Sequence, residues 1–162
     1  MKRIIMMMVL AFAGFSNMQA QEIYTEVMNM AKERVNDPAA SDIVKEINQF
    51  KVNALTYMAL TMREKMPDAP ADLLDAEALA LYKYVDLYMS TIVKNSDQPA
   101  AYQTKLIKLF IEVSLATPLF NDTDKETVYA YTEKEDAFIR FSLDTNWVEA
   151  MKTVEEKLKD YK

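Results

Sequence analysis

Between its prolines, the chain repeats apolar residues at helical spacing. Pro38, Pro67, Pro70, Pro99 and Pro118 each sit beside polar or turn-forming residues. A proline inside a helix costs about 3 kcal/mol, so the five mark boundaries. The first segment, Glu22 to Val35, sets Ile23, Val27, Ala31 and Val35 on one face. Asp37 followed by Pro38 reads as an N-cap and first helical residue. The second segment runs to about Met66 on the stripe Ile43, Ile47, Phe50, Ala54, Tyr57 and Thr61. The third, Ala71 to about Lys94, carries Leu74, Ala78, Leu81, Val85, Tyr88 and Ile92, and Asp72, Asp75 and Glu77 at its start suit the helix dipole. The fourth, Pro99 to Ala116, is apolar almost all round and is expected to be the central, most buried helix.

The last third is more broken. Thr123–Glu126 and Thr132–Glu135 match capping boxes and predict short helices near 124–131 and 133–141. Ser142–Thr145 reads as a turn, and Asn146 as the start of a final helix. Trp147, Met151, Val154, Leu158 and Tyr161 form a narrow packing seam on that helix. Period-2 alternation is scarce. The expected fold is all-α, a single helical bundle of about five or six helices.

The N-terminus departs from this pattern. Met1-Lys2-Arg3 is a short positive start, Ile4 to Phe15 is apolar apart from Gly14, and Ser16 to Ala20 is a polar exit. These are the parts of a secretory signal peptide, with the expected cut after Ala20. The run is too short for a membrane span, which needs about 20 residues. The domain plan is therefore 1–20 signal peptide and 21–162 helical bundle, exported to the periplasm or secreted, with no span in the mature chain.

Composition then removes most recognisable chemistry. Gly14 is the only glycine, and the chain has no histidine or cysteine. That excludes glycine loops for phosphate, imidazole bases and ligands, thiol nucleophiles and disulfides. The fold must rest on its core. The first 20 residues hold Lys2 and Arg3 and no acid, so their removal takes the net charge from −6 to −8. An acidic surface argues against nucleic acid and against anionic lipid.

Candidate chemistry is sparse. Tyr84 and Tyr88 share a helix face, and Tyr57, Met58 and Met62 share another. Tyrosine has an apolar body and a polar tip, and methionine is adaptable, so these five are the candidate ligand or partner surface; the plainer alternative is core packing. Asp68, Asp72 and Asp75, and Asn121, Asp122, Asp124 and Glu126, gather oxygens of the kind calcium takes, but capping accounts for both groups. No catalytic residue, cofactor or metal is assigned. The enzymatic alternative is a hydrolase using paired carboxylates, one of them in an apolar setting.

The phrases Phe50–Met58, Ala116–Phe120 and Phe141–Trp147, with Gln19-Ala20-Gln21 at the signal's end, resemble small exported helical proteins of unknown function from Gram-negative gut anaerobes. The resemblance implies an exported helical fold and carries over no functional residue. The leading expectation is a non-enzymatic exported domain that binds another protein, an envelope component or itself. The alternative is a Tyr/Met-lined groove for a lipid, peptide or glycan.

Overall fold

The computed structural model describes residues 22–129 and 139–161. The expected signal segment and the capping box at Thr132–Glu135 lie outside them. Helix α1 spans Glu22–Asn36, α2 Asp42–Lys65, α3 Ala71–Lys94, α4 Ala100–Ala116, α5 Lys125–Val128 and α6 Trp147–Lys157. A 3-10 turn, Leu158–Tyr161, closes the chain. No strand occurs among the described residues. The fold is an all-α bundle.

The prolines mark boundaries as expected, but the caps differ in detail. Pro70 and Pro99 occupy the N-cap positions of α3 and α4. Asp37-Pro38 does not start α2. The Asp37 carboxylate instead accepts from the Ala39 N–H at 2.8 Å and its carbonyl from Ala40, closing a turn. Ser41 caps α2 through the Val44 N–H. Such an Asp-Pro turn lets the chain reverse before the next helix. The cap of α5 is Asp124, one residue after Thr123. Asn146 caps α6 as its sequence suggested, accepting from the Glu149 N–H at 2.9 Å. Of the helix expected near 133–141, residues 139–141 are not helical, and the rest lies outside the described residues.

Helix α3 is the hub, touching α1, α2, α4 and α6, while α1 also packs on α2 and α4 on α6. The expectation that α4 is the most buried helix is therefore corrected. Its neighbours cover Leu106, Leu109, Phe110 and Val113, but Ile107 and Ile111 are half-buried and Leu115 is exposed. The most enclosed stretch lies in α2, where Ala54–Ala59 are buried in succession. In the sequence α2 looks more polar than α4. Its polar side chains, however, bond within the helix: Thr56 Oγ1 donates to the Val52 carbonyl at 2.7 Å, and Asn48 Nδ2 to Val44 at 2.8 Å. A polar group satisfied one turn back can be buried at little cost.

The inward face of α1 is Tyr24, Val27, Met28 and Ala31, with Ile23 exposed and Val35 half-buried. That i, i+3, i+4, i+7 stripe is wide enough to meet two neighbours, as α1 does; the narrower i, i+4 row drifts around the helix. The largest fully buried side chains are aromatic: Trp147, Tyr84, Phe50, Phe110 and Phe141. Phe141 sits at the middle, with its ring 5.1 Å from Tyr88, 5.4 Å from Tyr84 and 5.8 Å from Phe50, all edge to face. That geometry sets ring edges against ring faces of opposite partial charge.

Candidate functional site

All five residues singled out as a ligand or partner surface lie inside the bundle. Tyr57, Met58, Met62, Tyr84 and Tyr88 are between 0% and 6% exposed. The expected surface is thus corrected to core. The reason is hydrogen bonding. Tyr84 donates from its hydroxyl to the Phe110 carbonyl at 2.6 Å, so the whole phenol can leave water. Tyr57 donates to Asp122 Oδ2 at 2.8 Å, and its ring lies edge to face with Phe120. Tyr88 meets Phe110 and Phe141 edge to face. Burial pushes the Tyr57 and Tyr84 hydroxyls well above the ordinary tyrosine range and raises that of Tyr88. Met58 and Met62 fill space on α2. The structure unites Tyr84 and Tyr88 in the aromatic cluster and ties Tyr57 instead to the loop that follows α4.

The polar centre of the molecule is built from residues the sequence pattern did not single out. Asp144 is buried, and its carboxylate gathers three backbone donors. Oδ1 accepts from Leu119 at 3.0 Å and Phe120 at 2.7 Å, while Oδ2 accepts from Asp122 at 2.7 Å. The loop after α4 thereby wraps a carboxylate delivered from the segment before α6. Asn121, inside that loop, takes a positive φ of 52° without being glycine. The left-handed region is one that asparagine tolerates better than most residues. Around Asp144, the Ser114 hydroxyl accepts from the Ser142 N–H and pairs with Thr145 Oγ1, each at 3.0 Å. The signal was present in Ser142-Leu143-Asp144-Thr145-Asn146, a run of turn-forming side chains between Phe141 and Trp147. Its reading as a turn misses that flanking aromatics draw Ser142–Thr145 inside.

Two carboxylates of α3 cap other helices. Asp75 Oδ1 accepts from the Tyr24 N–H at the start of α1, at 2.8 Å. Glu77, 1% exposed, accepts through Oε2 from the N–H groups of Trp147 and Val148 at the start of α6, at 2.6 and 3.3 Å. In the sequence both suit α3's own dipole. Backbone N–H groups at helix starts lack intrahelical partners, and here a neighbouring helix supplies the acceptors. Burial pushes the Glu77 carboxyl up to about 7, against the pull of its two backbone bonds, and the nearby Glu149 charge adds to the rise. This is the apolar setting that carboxylate catalysis requires, but the side chain is enclosed and occupied by helix α6.

The remaining buried charge is Lys51. Its Nζ lies 2.7 Å from Asp86 Oδ1 and 3.4 Å from the centre of the Tyr82 ring. Burial lowers its pKa, and Asp86 opposes that fall. The pair ties α2 to α3.

Three of the candidate calcium ligands, Asp75, Asp122 and Asp124, have structural partners. Besides the Asp75 bond to α1, Asp122 accepts from Tyr57 and from the Asp124 N–H, and Asp124 caps α5. Among the described residues no cluster of three or more acids, histidines or cysteines is placed to hold a metal. No described helix is long and apolar enough to cross a membrane.

The exposed large apolar residues are Ile23, Met30, Ile43, Val93, Leu115 and Val148, spread over five helices. Surface depressions flank the C-terminal turn, one edged by Leu87 and Leu158 with Lys152 and Glu155, another by Tyr102 and Tyr161. No protein-family model matches the chain, nor does any curated protein or solved structure.

Proposed function

We propose that the chain is an exported, non-enzymatic helical domain that works through its outer helix faces, binding another protein, an envelope component or a second copy of itself. One observation carries the reading. The ionisable groups in unusual settings, Glu77, Asp144 and Lys51, are each engaged in holding helix ends, loops or helix pairs. What remains for recognition is the solvated exterior, which is acidic overall. Export is supported by the N-terminal residues Met1 to Ala20.

Crosslinking of the tagged full-length protein in its native host, with mass spectrometry of the captured envelope proteins, tests the proposal. The expected result is a reproducible partner, or links between two copies, joined through one helix face. Captures no richer than those of an unrelated exported control would overturn it. The second reading, a binder of a small lipid, peptide or glycan, has one observation in its favour: the depression beside Leu87 and Leu158. Tyr57, Tyr84 and Tyr88 are already packed against protein.

A further inference from the structure

The chain has no histidine and no cysteine, so no side chain of ordinary pKa titrates between about pH 5.5 and about pH 7.5. Glu77 fills that gap. It is 1% exposed on a stretch of α3 whose Leu74, Ala78 and Leu81 are also buried, and it forms no ion pair among the described residues. Its Oε2 accepts the first two N–H groups of α6, beside the Asn146 cap, and that helix is held otherwise by its buried Trp147, Ala150 and Val154. Of the elements packed on α3, α6 presents Glu149, a second negative charge near the same helix start. No basic side chain of α1, α2 or α4 forms an ion pair with Glu77 among the described residues.

We propose that Glu77 is a proton-operated latch on the C-terminal helix: protonated, it lets α6 dock tightly on α3, and ionised, it leaves a buried, unpaired negative charge that loosens the dock. Burial without a counter-charge gives the sign. A neutral carboxyl accepts the Trp147 and Val148 N–H bonds without a charge to bury. The carboxylate makes stronger bonds to those donors and to the positive end of the helix, but loses its hydration and is repelled by Glu149. Burial outweighs the two bonds, and the proton is held up to about pH 7. The latch is independent of what the outer faces bind. It makes the packing of α6 follow the proton concentration around the protein.

The molecule carries its own reporter, because Trp147 is the only tryptophan and its backbone N–H is bonded to Glu77. The experiment follows two signals of the mature chain from about pH 5 to about pH 8.5. These are the carbon-13 shift of the Glu77 carboxyl and the fluorescence of Trp147 with its quenching by acrylamide. Both are expected to titrate with a midpoint near 7, with quenching greater on the alkaline side. In Glu77→Gln, which keeps an acceptor oxygen but no titrating proton, the fluorescence step should vanish. The α-ammonium titrates in both proteins and cancels in the comparison. A carboxyl midpoint near the ordinary 4.5 would overturn the latch. So would a carboxyl step near 7 with no response from Trp147, or a fluorescence step retained in Glu77→Gln. If the variant does not fold, the two wild-type titrations decide the matter.

Discussion

The Tyr84 hydroxyl donates to the Phe110 carbonyl at 2.6 Å and joins α3 to α4 at full burial. The Tyr84 ring also meets Phe110, Phe141 and Trp147 edge to face, each with centroids 5.4 Å apart. One side chain of α3 therefore links α4, α6 and the segment that leads into α6. Tyr84→Phe removes a single bond whose acceptor lies within a helix, and should cost about 1 kcal/mol. Tyr84→Ala removes the ring from a packed cluster and should cost about 4 kcal/mol. Urea unfolding of the two variants separates the terms; equal losses would mean that the ring contributes nothing beyond its hydroxyl.

Asp144 should matter more than its place in an irregular segment suggests. Its carboxylate satisfies three backbone N–H groups of the loop after α4. Asp144→Ala is expected to cost about 3 kcal/mol, because buried donors lose a charged acceptor. Amide hydrogen exchange at Leu119, Phe120 and Asp122 should rise sharply in that variant, while the amides of α1 change least. Unchanged protection in the loop would show that other contacts hold it.

The Lys51–Asp86 pair is asymmetric. Lys51 is buried and Asp86 is 60% exposed. Lys51→Met keeps the length of the side chain and removes the cost of a buried ammonium, so its stability should stay within about 1 kcal/mol of wild type. Asp86→Ala strands the ammonium with only the Tyr82 ring as partner, and should cost about 2 kcal/mol. Thermal unfolding of both variants checks the order, and a larger loss in Lys51→Met would reverse the argument.

Stability should depend on pH through Glu77 in a direction opposite to most acids. Its folded value lies above its unfolded one, at about 7 against 4.5. The contribution of the protonated group is complete below the unfolded value and is lost as pH rises through the folded one. The melting temperature is therefore expected to fall between about pH 5 and about pH 7 and to level off above, a loss of at most about 3 kcal/mol. In Glu77→Gln the curve should be flat across that window. Asp122 acts in the opposite sense. The Asp124 N–H, then the Tyr57 hydroxyl and Lys65, hold its carboxyl below the usual range, so its contribution is lost only as pH falls below the ordinary 3.8.

The helices themselves were legible in the chain. Apolar residues at helical spacing, prolines at the junctions and a near-absence of glycine dictate helices of these lengths, because each is a local consequence of backbone sterics and burial. Asn146 and its α6 could be read for the same reason. What local pattern could not supply was the surroundings of each face. Tyr57, Tyr84 and Tyr88 look amphipathic in the sequence, and only their pairing with Asp122, Phe110 and Phe141, tens of residues away, makes them core. Helix α4 looks central because it is apolar, yet α3 has more neighbours and α2 has the longer buried stretch. Glu77 and Asp144 are ordinary acids in the sequence. They gain their roles because helix starts and loop amides, exposed by the chain's own folding, come to rest against them. Backbone geometry and side-chain hydrophobicity act over a few residues and are written in the sequence. The matching of buried donors to distant acceptors exists only once the bundle has closed.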